Sequence, residues 1–286
     1  MNLRQTKQLL QSRRLAPHKH LGQNFLVHEH TAQRIVALAG LSPDDTVLEV
    51  GVGLGALTRP LAAAAAEVIG IEADSGIIRL HEELGDLPEN VRLVHADILK
   101  VNLAELCENK KRLKIVANLP YSISTPFLFR LMDERRHLHS AVVMLQKELA
   151  LRLGAKPGSK AYGAPTVLLA ACADVEYLME VGPAEFYPRP KVDSMVLRLN
   201  FYPEPVRLES MGTFDHLQFS RIVRTAFAQR RKTLLNALRP LVADKERLAA
   251  QLIQAGIAPT ARAETLTLAD FVRLSQTMGT EHSAFP

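Results

Sequence analysis

The chain is poor in cysteine and has no long apolar run. Cys107 and Cys172 are its only cysteines among 286 residues. Two are too few for a cysteine zinc site, and a chain of this length buries a core without a disulfide framework. No metal site is expected. The longest continuous apolar stretch, Val167 to Ala173, is far shorter than a bilayer span, so no membrane association is expected. The segment Met1 to Leu15 contains no continuous apolar h-region, so no secretory signal is expected. Internal repeats and low-complexity tracts are absent apart from the alanine run Ala62 to Ala66, which fits a helix. With 47% hydrophobic and 23% charged residues, the balance is that of a globular protein in a reduced, cytoplasmic setting.

Acidic residues are missing from one end. Residues 1–28 carry five basic side chains (Arg4, Lys7, Arg13, Arg14, Lys19) and no carboxylate. Residues 206–286 hold eleven basic and seven acidic residues, whereas 29–205 hold nineteen basic and twenty-three acidic. A mildly acidic body thus carries a basic arm and a basic tail. This layout suits a polyanion, nucleic acid first among candidates, although composition alone also permits an ordinary solvated surface.

What is present between residues 28 and 200 is an alternation of strand-like and helix-like segments. Thr46–Val50, Glu67–Ile71, Val91–Val94, Lys114–Ala117, Ala141–Leu145, Asp174–Met179 and Ser194–Phe201 read as strands. Helical segments fall at Ala56–Ala66, Asp74–Leu84 and Thr125–Met132. This order predicts an α/β fold with a doubly wound parallel sheet, whose ligands sit beyond the strand C-termini. After the proline pair Pro203 and Pro205, which reads as a linker, strand signals vanish. His216–Phe227, Lys232–Leu238, Lys245–Ala255 and Leu268–Met278 show helical spacing. The expected division is an arm over 1–27, an α/β domain over 28–205 and a helical domain over 206–286.

Two strand ends carry chemistry. Gly51, Gly53 and Gly55 follow the first strand, where glycine permits a tight turn close to a ligand. Glu72 ends the next strand, 21 residues after Gly51, placed to accept both hydroxyls of a ribose. Asp97 follows the third strand, placed to accept from an adenine amine. The turn alone does not separate a nicotinamide dinucleotide from S-adenosylmethionine. Glu49, two residues before the first glycine, resembles the acidic position of the E/D-x-G-x-G-x-G turn of class I methyltransferases and is suited to an ammonium. Asn118-Leu119-Pro120-Tyr121 follows the fourth strand. The Asn118 side-chain oxygen and the Leu119 carbonyl can accept from the two N–H bonds of an exocyclic amine, making its nitrogen more nucleophilic. Pro120 stiffens the loop, and Tyr121 offers a face for stacking on an extruded base.

Taken with these segments, His20–Leu26, Gln146–Glu148, Ala155–Gly163, Phe186–Ser194 and Phe227–Leu234 give a resemblance to the ribosomal RNA adenine N6-dimethyltransferases, most closely to their small-subunit type. It covers nearly the whole chain. The resemblance implies a Rossmann-like class I methyltransferase sheet with a small all-helical C-terminal domain, and S-adenosylmethionine as cofactor. The implied reaction is dimethylation of N6 on two adjacent adenosines of small-subunit (16S) ribosomal RNA during ribosome biogenesis. The partner is the small ribosomal subunit, and the chain acts as a monomer. Gln23, Asn24 and Leu26 are then expected on the cofactor with Gly51, Glu72, Asp97 and Asn118, while Ala73 and Ile98 flank its adenine. Phe186 is expected to stack on the target base opposite Tyr121, although without the resemblance it reads as a core aromatic. Arg221, Arg224, Arg230, Arg231 and Lys232 are expected on RNA, opposite an apolar face of Leu217, Ile222, Val223 and Phe227, with Arg189 and Lys191 near the target base. Arg13, Arg14 and Lys19 offer a second contact. The alternatives are a large-subunit methyltransferase of the macrolide-resistance type, a non-catalytic ribosome-assembly or transcription factor on the same fold, and a nicotinamide-dependent oxidoreductase.

Overall fold

A computed structural model describes residues 2–18, 21–107, 112–202, 212 and 214–279. The expected linker prolines Pro203 and Pro205, together with Lys19 and His20, lie outside the described residues. The chain divides into two compact units, Met1–Ala150 with Asp174–Pro203, and Leu151–Ala173 with Glu204–Pro286.

The first unit is built on a seven-stranded sheet. With β1 at Phe25–Leu26, its strands are β2 (Thr46–Val50), β3 (Glu67–Glu72), β4 (Val91–His95), β5 (Leu113–Asn118), β6 (Leu138–Gln146), β7 (Ala173–Val181) and β9 (Ser194–Phe201), in the order β4-β3-β2-β5-β6-β9-β7. β8 is Phe186–Tyr187 and pairs with β1 outside this sheet. The central strands are runs of branched apolar residues, and Val47, Leu48, Ile115, Val116, Ala141 and Val143 are all buried. Burial on both faces suits parallel strands covered by helices, and β2 pairs in parallel with both β3 and β5. The parallel expectation fails at the far edge. β9 runs antiparallel to β6, with Val143 opposite Leu197. Ser194–Phe201 follows the short β8 rather than a covering helix, so no crossover sets it parallel.

Strand order reverses direction at β2, whose neighbours are β3 and β5. Such a switch point leaves a crevice beyond the strand C-termini. Here Val50 is in register with Ala117, so Gly51 and Asn118 emerge side by side.

The N-terminal arm packs onto the first unit. Its helix Leu3–Ser12 starts in a capping box between Asn2 and Gln5. It buries Leu10 against Phe25, Leu54, Ile77 and Leu80, and Phe25–Leu26 pairs antiparallel with Phe186–Tyr187.

The second unit contains the helices Ala164–Ala170, His216–Phe227, Leu234–Ala237, Lys245–Gln254 and Leu268–Gly279. Phe219, Ile222, Val223, Ala226, Phe271 and Leu274 form much of its interior. Leu217, assigned by spacing to the apolar face of its helix, is instead 84% exposed. Asp215 caps this helix at its N-terminus, leaving Leu217 in the open first turn.

The units divide at Pro203 and Glu204, close to the expected boundary at 205, but the α/β domain is not continuous over 28–205, because Leu151–Ala173 groups with the C-terminal helices. The Tyr162 hydroxyl donates to Leu266 O at 2.8 Å, and its ring meets Phe227 edge-on at 5.9 Å. Gly158 N donates to Glu264 O at 2.7 Å. Burial pushes the Tyr162 hydroxyl pKa up to about 12, so it remains a donor throughout the neutral range.

Removing that donor leaves a buried carbonyl unpaired, at a cost of about 1–3 kcal/mol. Tyr162→Phe is therefore expected to lower the urea midpoint of the full chain, while Leu217→Ala leaves it within experimental scatter. Equal midpoints for Tyr162→Phe and the parent chain would show that this bond is not what ties the segment down.

Candidate functional site

The loop after β2 is held by the end of β3. Gly53 N donates to Glu72 Oε2 at 3.0 Å, and Asp74 N donates to Glu72 Oε1 at 2.9 Å. Each carboxylate oxygen keeps a further lone pair for a ligand. Burial pushes the Glu72 pKa up, against the opposing pull of the Gly53, Asp74 and Ala73 backbone N–H groups. Gly53 has φ +52, and a Cβ there would come within 3.1 Å of the Phe25 ring. Only glycine gives the turn both that conformation and that closeness to an aromatic face.

Beneath the turn, Glu49 is 1% exposed, and its Oε2 is buried without a hydrogen-bond partner. Burial pushes its carboxyl pKa up to about 8. The Thr58 hydroxyl opposes the shift most, yet its own oxygen also lacks a partner of sound geometry. A buried, unpartnered acceptor beside a glycine turn is costly unless a donor arrives to satisfy it. A cationic amine fits that demand.

Two adjoining pockets open at the switch point. One is lined by Gln23, Asn24, Leu26, Glu49, Gly53 and the run Asn118–Tyr121. The other is lined by Ala73, Asp97, Ile98 and Leu99. Gly51, Glu72 and Pro120 line both. The structure therefore brings together every expected cofactor residue. Asp97 is half-exposed, and its Oδ1 accepts from Leu99 N at 3.0 Å, closing a turn that leaves Oδ2 at the rim near Lys100.

Asn118 ends β5 in register with Met144 of β6. Its Nδ2 donates to Asn24 O at 3.0 Å, which leaves Oδ1 as the acceptor end of the amide. The following loop is closed by Ser124 Oγ and Ile123 N, both donating to Pro120 O at 3.0 and 3.1 Å. Tyr121 is half-buried and its hydroxyl meets Ser194 Oγ at 2.9 Å. Burial raises the Tyr121 pKa, only partly opposed by Ser194, so the ring stays neutral and held at its tip. Gly22 (φ +67) lies so near this loop that a Cβ would come to 3.0 Å from Ser122 Oγ. Gln23 spans His18 N and Asp74 Oδ2 at 2.8 and 2.7 Å.

Phe186 is not brought to the site. It is 3% exposed, sits opposite Leu26 in the β1–β8 pair and packs with Val116, Met144 and Val196. Alternation along a two-residue strand sends neighbouring side chains to opposite faces, and the core face takes Phe186. The aromatic that does line the first pocket with Tyr121 is Phe25. Sequence reasoning passed over it, although it stands between two expected ligand residues. Asp74 was missed as well; its sequence signal is a helix N-cap, here accepting from Gly76 N at 2.8 Å.

Arg189 and Lys191 are exposed on the first unit, and Arg221, Arg224, Arg231 and Lys232 on the second. Arg230 differs, because its Nη2 donates to Lys160 O and Tyr162 O at 2.7 and 3.1 Å. This ties one of the five expected helical-domain cations to the fold. Among the described residues no helix is long and apolar enough to cross a membrane.

Comparison with known proteins agrees with this geometry. The chain is 48% identical over 283 residues to the ribosomal RNA small subunit methyltransferase A of Desulfotalea psychrophila, covering 94% of each chain. It is 42% identical to the protein of the same name from Clostridium botulinum, covering 94% of this chain and 97% of that one. A dimethyladenosine transferase from Plasmodium falciparum superposes with TM-score 0.73 at 26% identity, over 90% of this chain and 98% of the other. The 23S rRNA methyltransferase ErmE gives TM-score 0.62 at 27% identity, over 89% and 99%. The family described as ribosomal RNA adenine dimethylase matches residues 15–279, and with that extent of match the chain belongs to this family.

Proposed function

We propose that this protein transfers methyl groups from S-adenosylmethionine to N6 of two adjacent adenosines in small-subunit (16S) ribosomal RNA during ribosome biogenesis, acting as a monomer in the cytoplasm. The observation that carries this reading is the Asn118 amide. Its nitrogen is engaged by the Asn24 carbonyl and its oxygen is left to accept, beside a glycine turn under which Glu49 Oε2 is buried without a partner. Similarity to small-subunit enzymes at 48% and 42% identity, against 27% for a large-subunit enzyme, favours the small subunit over the macrolide-resistance type.

S-adenosylmethionine, when bound, supplies a methyl group on a positively charged sulfur, already activated toward displacement without a metal. The chain's own work is position and electrostatics. Gly51, Gly53 and Glu49 cradle the amino-acid end of the donor, and Glu72 accepts from its ribose. Ala73 and Ile98 flank the adenine, whose amine donates to Asp97. Asn118 Oδ1 and the Leu119 carbonyl accept from the N–H bonds of the target N6 and draw its lone pair out of the ring. Pro120 has no N–H to compete for those acceptors. Tyr121 stacks on the extruded base, while Phe25, packed over Gly53, walls the donor side of the pocket. The S–C bond would break as the N–C bond forms, leaving a neutral thioether, and the methylated nitrogen would then release its proton to solvent. Exposed cations on the two units, Arg189 and Lys191 on one and Arg221, Arg224, Arg231 and Lys232 on the other, meet phosphates.

Three sets of measurements test the reading. Labelled methyl donor is expected to mark N6 of adenosine in immature small subunits and not naked large-subunit RNA. Asn118→Ala should lower kcat about 100-fold or more while RNA affinity holds. Labelling of large-subunit RNA alone, or full activity of the variant, contradicts the proposal. Second, Arg231→Glu combined with Lys232→Glu should weaken RNA binding and flatten its logarithmic salt slope by about 0.7–0.9 per lost phosphate, with donor affinity intact; an unchanged slope removes these side chains from the interface. Third, the raised Glu49 pKa means that the unfolded chain loses this proton near 4.5 and the folded chain near 8. Stability is thus fully supported below the lower value and falls as pH rises toward the upper one. The melting temperature of the donor-free protein should decline over that window, and Glu49→Gln should shrink the decline; identical pH profiles would place the charge elsewhere.

A further inference from the structure

The glycine turn is gripped from its far side by residues that no motif singled out. His81, on the helix Ser75–Leu84, is 4% exposed. Its Nε2 lies 2.8 Å from Gly53 O, and its Nδ1 lies 2.8 Å from Asp86 Oδ1. Asp86 Oδ2 pairs with Arg59 Nη2, and Arg59 Nη1 donates to Gly55 O at 3.1 Å and Leu54 O at 3.3 Å. One carboxylate thus joins two basic side chains that together cover three successive carbonyls of the turn. A carbonyl oxygen only accepts, so the bond to Gly53 O is made by the Nε2–H of His81. On the opposite side Gly53 N is held by Glu72, so Gly53 is fixed at both its backbone groups. In a planar trans peptide the N–H points away from the carbonyl of the same unit. The grip on Gly53 O and Gly55 O therefore turns the Leu54 and Ala56 N–H groups away from His81 and Arg59. Both residues line the first pocket.

We infer that His81, supported by Asp86 and Arg59, is a positioning residue for methyl-donor binding: it touches neither donor nor RNA, and sets the shape of the turn on which the donor rests. This deepens the functional reading above and rests on it. The consequence is a division of effects. Loss of the His81–Gly53 bond weakens the donor complex, whereas the Asn118 loop that acts on the target amine keeps its own supports, Asn24 O and Pro120 O.

The test uses the full chain and two variants that split the bonds of one ring. A glutamine places its amide nitrogen near the position of Nε2, and an asparagine near that of Nδ1. His81→Asn is expected to raise KM for S-adenosylmethionine about tenfold, with kcat within about threefold of the parent and RNA affinity unchanged. His81→Gln, which still reaches Gly53 O, is expected to recover most of that loss. The inference is overturned if both variants keep the parent KM, or if both lose donor affinity, kcat and RNA affinity together, the pattern of a purely structural histidine. A parent chain that binds no S-adenosylmethionine in calorimetry would instead bring down the functional reading, and this inference with it.

Discussion

The pairing of β2 with β5 is the constraint from which the rest of the site follows. Two parallel strands that are far apart in sequence lie in register, Val50 against Ala117, and both end at the same edge. One continues into a turn that only glycine makes, the other into a loop stiffened by Pro120. Ladder hydrogen bonds fix their separation, so the glycine turn and the Asn118 loop are neighbours by construction. The reversal of strand order at β2 leaves the space between them unfilled by a crossover helix. Mispairing of these two strands would dissolve the site even if every side chain were kept.

Around that edge the structure holds polar groups in costly states. Glu49 is buried without a full set of partners, and Glu72 is buried with both oxygens on backbone N–H groups. Such groups destabilise an empty fold and become favourable when a ligand supplies the missing donors. The Asn118 amide is oriented in advance by Asn24, and the Tyr121 ring by Ser194. Orientation before binding is what makes an acceptor effective at the moment of reaction, since little rearrangement remains to be done. The N-terminal arm belongs to this arrangement. Gly22 lies against Ser122, Asn24 holds Asn118 and Phe25 covers Gly53, so residues with no chemistry of their own supply one wall.

The pattern of strands and helices was legible in the chain because each element carries its own periodicity. Thr46–Val50 is apolar apart from Thr46 and Glu49, and the strand starts and stops where the residues predict. The glycine turn, Glu72, Asp97 and Asn118 were legible for the same reason: each sits at or just past a strand end, and strand ends share an edge. Periodicity was less informative where a segment is short. Phe186 read by itself as a core aromatic and by resemblance as a base-stacking one; its 3% exposure and its pairing with Leu26 match the first reading. Leu217 fits the apolar spacing of its helix but lies in the first turn, where the core does not reach. Arg230 belongs to a basic run by sequence, yet two carbonyls of a distant segment take its guanidinium.

The sequence by itself determined the α/β order, the glycine and asparagine loops at strand ends and the basic character of the two ends, because these depend on local residue type and spacing. Only the tertiary structure decided that Leu151–Ala173 joins the C-terminal helices, that β9 reverses direction, that Phe25 and not Phe186 lines the pocket, and that His81 reaches the glycine turn. Each of these depends on contacts between residues far apart in the chain. Their outcome is set by which surfaces bury against each other and which buried polar atoms find partners, and neither quantity is written in any single stretch of residues.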